Sequence, residues 1–217
     1  MARGMRRVPT YYQDIIDVIG KNPGHVIGMT ACLGGFLPHL ILDWAPTNDE
    51  SKWDYIIRRC RRMEEIFGKE NFYLEMQPSP NPEQKLVNCT LLRLAKELDV
   101  KYIITLDAHY LKKEDRAIHK AYLNSQNGDR EVDGFYATTY LMGHEEIRSY
   151  MSELSIEQIQ EAYNSIIEIQ NKCENYSLKK PLKIPQLPWK NFDDIVDADN
   201  WCKKIPEFEP FLSSKYI

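Results

Sequence analysis

The chain has 217 residues, of which 43% are hydrophobic and 28% charged, and its formal net charge is −4. These values are typical of a soluble globular protein, and they lack the global basic signature of nucleic-acid binding. Five cysteines form no C-x-x-C pair, which indicates a reducing compartment rather than a disulfide framework or a structural zinc site. Because no segment resembles a membrane span or a signal peptide, we expect a cytoplasmic protein.

The first half of the chain alternates strand and helix patterns. Apolar runs at 26–31, 71–77 and 100–106 predict three strands. Apolar residues at helical spacing predict helices at 51–67 and 82–98 between them. Strands that alternate with helices are typical of parallel βα units, so we predict an α/β fold. Three strands are fewer than the eight of a closed barrel, which predicts an incomplete piece of a larger fold.

The second half of the chain is predicted to be mostly helical. A short helix is expected at 114–124, followed by a small hairpin or extended arm at 134–141. Ser155 is a suitable cap for a well-patterned helix that reaches Cys173. Prolines at 181, 185 and 188 then predict an extended, linker-like segment.

Candidate functional residues follow the predicted strands. Asp107 and His109 come directly after the third strand, and strand alternation would place their side chains on the same side. A carboxylate beside an imidazole suits a metal or a phosphate ester, and the alternative is a hydrogen bond between the two in the core. The carboxyl ends of parallel strands lie on one rim of the sheet, and Cys32 follows the first strand. Cys32 would therefore lie on the same rim as Asp107 and His109, where it could supply a thiolate to a metal. The alternative is an inert buried cysteine. Gly34 and Gly35 would let the backbone turn sharply there.

Two further residues are weaker candidates. Glu75 lies inside the second strand, where it either orients a neighbour on the rim or pairs with a lysine. His119 lies ten residues beyond His109, and it is either an outer neighbour of the site or a core histidine bonded to backbone.

Four arginines crowd the helix at 51–67, and this pattern is more typical of a solvated helix face than of a nucleic-acid site. They are Arg58, Arg59, Arg61 and Arg62. The sequence has no G-x-S-x-G, phosphate-loop, H-E-x-x-H or dinucleotide motif.

Three motifs in this order resemble the PHP (polymerase and histidinol phosphatase) domain of the bacterial DNA polymerase III alpha subunit. They are Gly-Met-Thr-Ala-Cys32-Leu-Gly-Gly, Phe-Tyr-Leu-Glu75-Met-Gln and Ile-Thr-Leu-Asp107-Ala-His109-Tyr. The later run from Phe135 to Met142, the helix at 156–173 and the tail at 203–216 are also similar to that family. The resemblance implies a distorted barrel of parallel βα units whose rim carries a metal cluster for phosphoester hydrolysis, including proofreading exonuclease activity.

By this resemblance, Cys32, Asp107 and His109 fall on positions that supply metal ligands. Glu75 and His119, which the motif match does not cover, remain possible outer neighbours of these ligands. Thiolate, carboxylate and imidazole ligands suit zinc, or manganese with more oxygen ligands. The resemblance also divides the chain. Residues 1–125 would be the C-terminal part of a PHP-like barrel, 126–190 a linker and helical segment, and 191–217 the entry into a polymerase core.

The chain also departs from the family pattern. The family's H-x-H pair and several further ligands precede the cysteine motif, and the 31 residues before Cys32 contain no H-x-H. Phe36 stands where the family has an acidic residue, and the palm carboxylates of the polymerase are absent. We therefore expect a partial PHP segment of a replicative polymerase that is inactive alone, with an incomplete zinc or manganese site.

The partner implied by this reading is the remainder of the polymerase, or a chain that carries the missing half of the barrel, and DNA would be contacted only indirectly. Two alternatives stay open. One is a free-standing or split metal-dependent phosphoesterase or exonuclease. The other is a non-catalytic scaffold of the replisome, suggested by the edge strands that an unclosed barrel exposes.

Overall fold

The computed structural model describes residues 10–127 and 135–181. The chain divides into two units after Glu174. The described part of the second unit, 175–181, contains no helix or strand. The proline-rich segment predicted beyond 181 and the predicted polymerase entry at 191–217 lie outside the described residues, so the expected division into domains stays a prediction.

Three strands and seven helices organise the described part of the first unit. The strands are β1 (Gly28–Met29), β2 (Phe72–Met76) and β3 (Tyr102–Ile104). The helices are α1 (Tyr12–Lys21), α2 (Phe36–Trp44), α3 (Glu50–Phe67), α4 (Pro82–Leu98), α5 (Arg116–Asn127), α6 (His144–Tyr150) and α7 (Ile156–Lys172). Short 3-10 helices occur at Lys69–Asn71, Lys113–Asp115 and Phe135–Thr138.

The strands form an open parallel sheet in the order β1-β2-β3. Gly28 lies opposite Phe72, and Leu74 lies opposite Tyr102. Parallel neighbours need crossover connections, which α2 and α3 provide between β1 and β2, and α4 provides between β2 and β3. The predicted α/β class and the parallel strands are confirmed, although each strand is shorter than its apolar run.

Local signals explain where the central helices begin and end. Asp49 caps α3, because its side chain accepts a hydrogen bond from the Ser51 amide at 2.8 Å. Gly68 ends the same helix with φ +89°, a conformation that favours glycine. Asn81 caps α4 in the same way as Asp49 caps α3, and Pro82 occupies the first helical position, where its missing N–H costs nothing.

The core lies between β2, β3 and the helices. Phe72, Leu74 and Met76 alternate along β2 and are almost completely buried with apolar residues of α2, α3 and α4. Tyr73 and Ile103, which point to the opposite face, are buried as well. Burial on both faces is the usual state of a parallel sheet, and it explains why these strands read as continuous apolar runs.

Helix α7 packs against β3 through polar contacts as well as apolar ones. Tyr102 donates a hydrogen bond from its hydroxyl to Glu161 at 2.6 Å. Glu168 accepts hydrogen bonds from Tyr73 at 3.0 Å and from Lys101 at 2.9 and 3.0 Å. The predicted helix at 155–173 is therefore confirmed, and it is held to the amino end of the sheet.

Sequence patterns missed some elements. Helix α2 was not predicted, because Gly34 and Gly35 indicate a turn and Pro38 discourages a helix; Pro38 lies in the first turn, where proline is tolerated. The hairpin or arm expected at 134–141 is wrong where the structure describes it: residues 135–138 form a 3-10 helix, and Tyr140 makes a single parallel bridge to Tyr110. No helix of the described residues is long and apolar enough to cross a membrane.

Candidate functional site

The carboxyl ends of the three strands form one rim of the sheet. The chain leaves β1 through Ala31, which has φ +62°, and it turns after β3 at Asp107, which has φ +45°. Non-glycine residues rarely adopt this left-handed conformation, and such outliers cluster at functional sites. Of the four such residues in the described part of the chain, Asn48 precedes α3 and Asp99 ends α4, whereas Ala31 precedes the candidate Cys32 and Asp107 is a candidate itself.

Glu75 is the central polar group of this rim. Its Oε2 accepts a hydrogen bond from the Ala31 amide at 3.1 Å, and its Oε1 accepts one from the Thr105 hydroxyl at 2.5 Å. The Glu75 amide in turn donates to the Thr30 hydroxyl at 2.8 Å. Of the two roles predicted for Glu75, contact with rim neighbours is therefore the one found.

Gly35 permits a close approach of backbone just after β1. A Cβ at this position would lie 2.4 Å from the carbonyl oxygen of Thr30 and 2.9 Å from that of Cys32. The Gly35 amide also donates to the Cys32 carbonyl at 2.7 Å, which closes the turn. The sharp turn predicted from the two glycines is therefore present, and Gly35 is the one that the packing requires.

Asp107 and His109 are positioned by a turn rather than by a strand. β3 ends at Ile104, so strand alternation, which was used to place both side chains on one side, does not reach them. The Nδ1 atom of His109 lies 2.6 Å from the backbone carbonyl of Asp107, and the His109 amide donates to the Thr139 carbonyl at 2.8 Å. The contact predicted as an alternative, a hydrogen bond between the Asp107 carboxylate and His109, is replaced by one to the Asp107 backbone.

The bond to Asp107 fixes the tautomer of the His109 ring. A carbonyl oxygen only accepts hydrogen bonds, so Nδ1 must carry the proton. In the neutral ring Nε2 then keeps its lone pair, and His109 is exposed. Metal-binding histidines show this arrangement, in which one ring nitrogen donates to a carbonyl and the other binds the metal.

Cys32, Asp107 and His109 are not gathered into one ligand group. β2 lies between β1 and β3, so the two outer strands are separated by roughly 9–10 Å, twice the spacing of neighbouring strands. Within 10–127 and 135–181, no group of three or more His, Cys, Asp or Glu side chains is placed to hold a metal ion. These residues as placed do not fit a three-ligand centre, and binding of zinc or manganese by them stays a prediction.

His119 contacts His109 instead of backbone. The two ring centroids lie 5.6 Å apart, and the Tyr136 ring lies 5.0 Å from each of them. The Nδ1 atom of His119 is buried and has no hydrogen-bond partner in the described part of the chain. Burial lowers the pKa of His119, and the neighbouring His109 lowers it further. Which of the two predicted roles His119 has, an outer neighbour of the site or a core histidine, stays a prediction.

The arginine-rich helix is only partly a solvated face. Arg61 and Arg62 pair with Glu64 and Glu65 one turn away, as on an ordinary surface helix. Arg59 is half-buried, and its guanidinium lies 4.9 Å from the Phe36 ring centroid and 5.3 Å from that of Tyr12. Sequence spacing gave no signal of these contacts, because the rings come from α1 and α2.

Comparisons with known proteins relate this chain to DNA polymerases. It is 37% identical to the probable DNA polymerase YorL of Bacillus subtilis, and equally to a DNA-directed DNA polymerase of Bacillus phage SPbeta, over 94% of its own length. It is 28% identical over 79% of its length to the DNA polymerase III alpha subunit of Thermus aquaticus. The chain spans only 17% of the first two proteins and 14% of the third. No family model matches the chain.

Proposed function

We propose that this chain is a PHP-type segment of a replicative DNA polymerase, and that it shapes the rim of that domain without hydrolysing phosphoesters by itself. The observation that carries the proposal is the similarity to DNA polymerases along 94% of the chain. The partner implied is the remainder of such a polymerase. The contact with DNA would then be indirect.

The rim supports a structural role. Glu75 links the turn after β1 to the residue that follows β3, and Gly35 allows the close backbone approach beside it. These contacts hold the loops that carry Cys32 and Asp107. The described residues also contain no group of three or more ligating side chains, and a hydrolytic centre that holds several metal ions needs more than three ligands. We therefore expect this rim to hold its loops in place and to hydrolyse no phosphoester by itself.

The hydrolytic part of the proposal is tested on the pure 217-residue chain. We expect no primer extension with Mg²⁺ and deoxynucleotides, and no shortening of a 3′-labelled DNA strand with Mn²⁺ or Zn²⁺. Nuclease turnover that is abolished by His109→Ala, but kept in the matched variant His144→Ala, would overturn this expectation. His144 is exposed on α6 and contacts Tyr163.

The polymerase part is tested by segment exchange. The matching segment of the phage SPbeta polymerase is replaced with this chain, and primer extension by the chimera is measured. We expect activity to be retained, and to be lost when the inserted segment carries Gly35→Ala. A folded chimera without activity would count against the assignment.

One observation favours a second candidate, a phosphoesterase completed by further ligands. The hydrogen bond from His109 Nδ1 to the Asp107 carbonyl leaves Nε2 available to a metal. Metal analysis after purification without chelators tests this candidate. Less than one tightly bound transition metal per chain, alone or mixed with the remainder of the polymerase, would reject it.

A further inference from the structure

We propose that Tyr12, Phe36 and Arg59 form a docking surface for a peptide segment of another protein, one in which a carboxylate side chain lies next to a large apolar side chain. The apolar side chain would enter a cavity that the three residues help to line, and the carboxylate would pair with the Arg59 guanidinium. The three residues come from α1, α2 and α3, and none of the candidate metal ligands belongs to this surface. The proposal does not require that the chain serve a polymerase.

The cavity beside Arg59 has room for one large apolar side chain. Its volume is about 160 Å³. A cavity of about 150 Å³ with apolar walls is large enough to take up benzene. Most of the wall is apolar and includes Met29, Leu37, Cys60, Met63 and Phe72. A phenyl or isobutyl group of a partner therefore fits, and its transfer from water to this wall is favourable.

The mouth of the cavity is accessible and has the composition of a protein interaction site. Tyr12 is 46% exposed and Phe36 is 50% exposed. Met29, on the outermost strand of the described sheet, is exposed as well. Exposed apolar side chains that lie close together mark interaction sites, and tyrosine and arginine are enriched among the residues that dominate binding between proteins. This composition favours a protein partner.

Arg59 has no anionic partner in the part of the chain that the structure describes. Its guanidinium lies 5.3 Å from the Tyr12 ring centroid and 4.9 Å from that of Phe36. No described carboxylate pairs with Arg59, and its buried Nε atom has no hydrogen-bond partner there. Contact with the rings uses the faces of the guanidinium and leaves the N–H groups, which lie in its plane. A carboxylate matches these N–H groups and often accepts two hydrogen bonds at once.

The neighbouring arginines indicate that the partner is acidic. Arg61 and Arg62 are neutralised by Glu64 and Glu65 on the same helix. Arg58, in contrast, is exposed and has no carboxylate partner among the described residues, so it adds a second unneutralised charge beside Arg59. Because opposite charges across an interface favour association, an acidic segment is the occupant that this surface fits.

The test measures the binding of labelled hexapeptides to the full 217-residue chain by fluorescence anisotropy. The probes are Gly-Ser-Phe-Asp-Gly-Ser and the same peptide with Leu in place of Phe. Two matched peptides replace the Phe of the first probe with Ala, or its Asp with Asn. We expect saturable binding of a probe. The Asn peptide should bind about tenfold more weakly or worse, because a hydrogen bond between charged groups is lost. The Ala peptide should lose as much, because it leaves the cavity empty.

Variants of the chain assign the binding to this surface. Arg59→Met removes the guanidinium and keeps an unbranched apolar side chain. It should weaken binding of the probe about tenfold, and it should no longer distinguish the Asp peptide from the Asn peptide. Phe36→Ala should also weaken binding. Arg62→Met is the matched control and should bind as the parent chain does, because Arg62 already pairs with Glu65. A melting curve establishes that each variant is folded.

Three outcomes would overturn the docking surface. One is no saturable binding of either probe by the folded parent chain. Another is a folded Arg59→Met variant that still prefers the Asp peptide to the Asn peptide. The third is binding of a labelled oligo(dT) strand that Arg59→Met abolishes while neither probe binds, because this would assign the arginines to nucleic acid. The chimera tests the polymerase assignment separately, so either proposal can fail without the other.

Discussion

The amide of Ala31 donates a hydrogen bond to the carboxylate of Glu75, a residue 44 positions later in the chain. The other oxygen of the same carboxylate accepts the Thr105 hydroxyl. One side chain of the central strand therefore fixes the backbone after β1 and the start of the turn after β3. The two loops that carry the candidate residues depend on this contact for their relative position.

Glu75→Gln should destabilise the chain, because one carboxylate oxygen becomes an amide group that cannot accept a hydrogen bond. Either the Ala31 amide loses its acceptor, or the Thr105 hydroxyl turns to accept from the new amide group; a charge-assisted bond is lost in both cases, at a cost of about 1–3 kcal/mol in the free energy of unfolding. Urea denaturation followed by circular dichroism measures the change. Glu97→Gln is the control, since the contact of Glu97 in the described part of the chain is a long surface ion pair with Arg93 at 3.9 Å, and this variant should change stability little. Equal stability of the two variants would contradict the role of Glu75.

The two adjacent glycines after β1 should respond very differently to alanine. A Cβ at Gly35 meets two backbone oxygens at 2.4 and 2.9 Å, which cannot move without reshaping the turn. Gly35→Ala should therefore cost about 1–3 kcal/mol or more in unfolding free energy.

Gly34→Ala is the matched control for that variant. Its Cβ would meet only the Cys32 sulfur, at 3.7 Å, an ordinary contact. We expect its stability to stay within about 0.5 kcal/mol of the parent chain. A melting curve of each variant decides the matter, and a Gly34→Ala variant as unstable as Gly35→Ala would contradict the packing argument.

Sequence patterns predicted the parallel strands and the long helices because burial on one or two faces leaves a clear apolar period. They failed where a local rule was overridden. Helix α2 begins directly after Gly35 and contains Pro38 in its first turn, so the residues that indicate a break lie where a helix tolerates them. The hairpin or extended arm predicted at 134–141 was wrong because Tyr140 pairs with Tyr110, a residue that is distant in sequence.

The candidate site was predicted only in part. Position after a strand predicted that Cys32, Asp107 and His109 share one rim, and it gave no sign that Glu75, inside the second strand, bonds to the loops beside them. It did not indicate the left-handed conformation at Asp107, because aspartate adopts that conformation only in a minority of positions and no glycine marks the turn. The contact between His109 and His119 was also not predicted from sequence spacing, because the two rings are held by different elements, the turn after β3 and helix α5.

The amino end of the sheet should give the chain part of its stability against acid. Hydrogen bonds from Lys172 and Lys101 lower the pKa of Glu168 to about 2. Because this pKa is depressed in the folded state, the stabilisation is complete above the usual glutamate range. It is lost as the pH falls from about 5 towards 2.

The unfolding free energy of the parent chain should therefore fall over this range, and more steeply than that of Glu168→Gln. Glu174→Gln, at an exposed position beyond α7, should follow the parent profile. Urea denaturation at a series of pH values measures the three profiles. Parallel profiles for the parent chain and Glu168→Gln would contradict the assignment of this pH dependence to Glu168.

Alkylation of the cysteines tests whether Cys32 is a metal ligand. Cys32 is half-buried on the loop after β1, and among the described residues it belongs to no group of three or more ligating side chains. We therefore expect Zn²⁺ to leave its rate of reaction with iodoacetamide unchanged, as measured by peptide mass spectrometry. Cys173 is exposed and serves as the matched thiol for non-specific effects of the metal. Cys60 is completely buried, and burial raises its pKa to about 12, so it should react only after unfolding. Protection of Cys32 but not of Cys173 by Zn²⁺ would instead support the ligand set that the family resemblance implies.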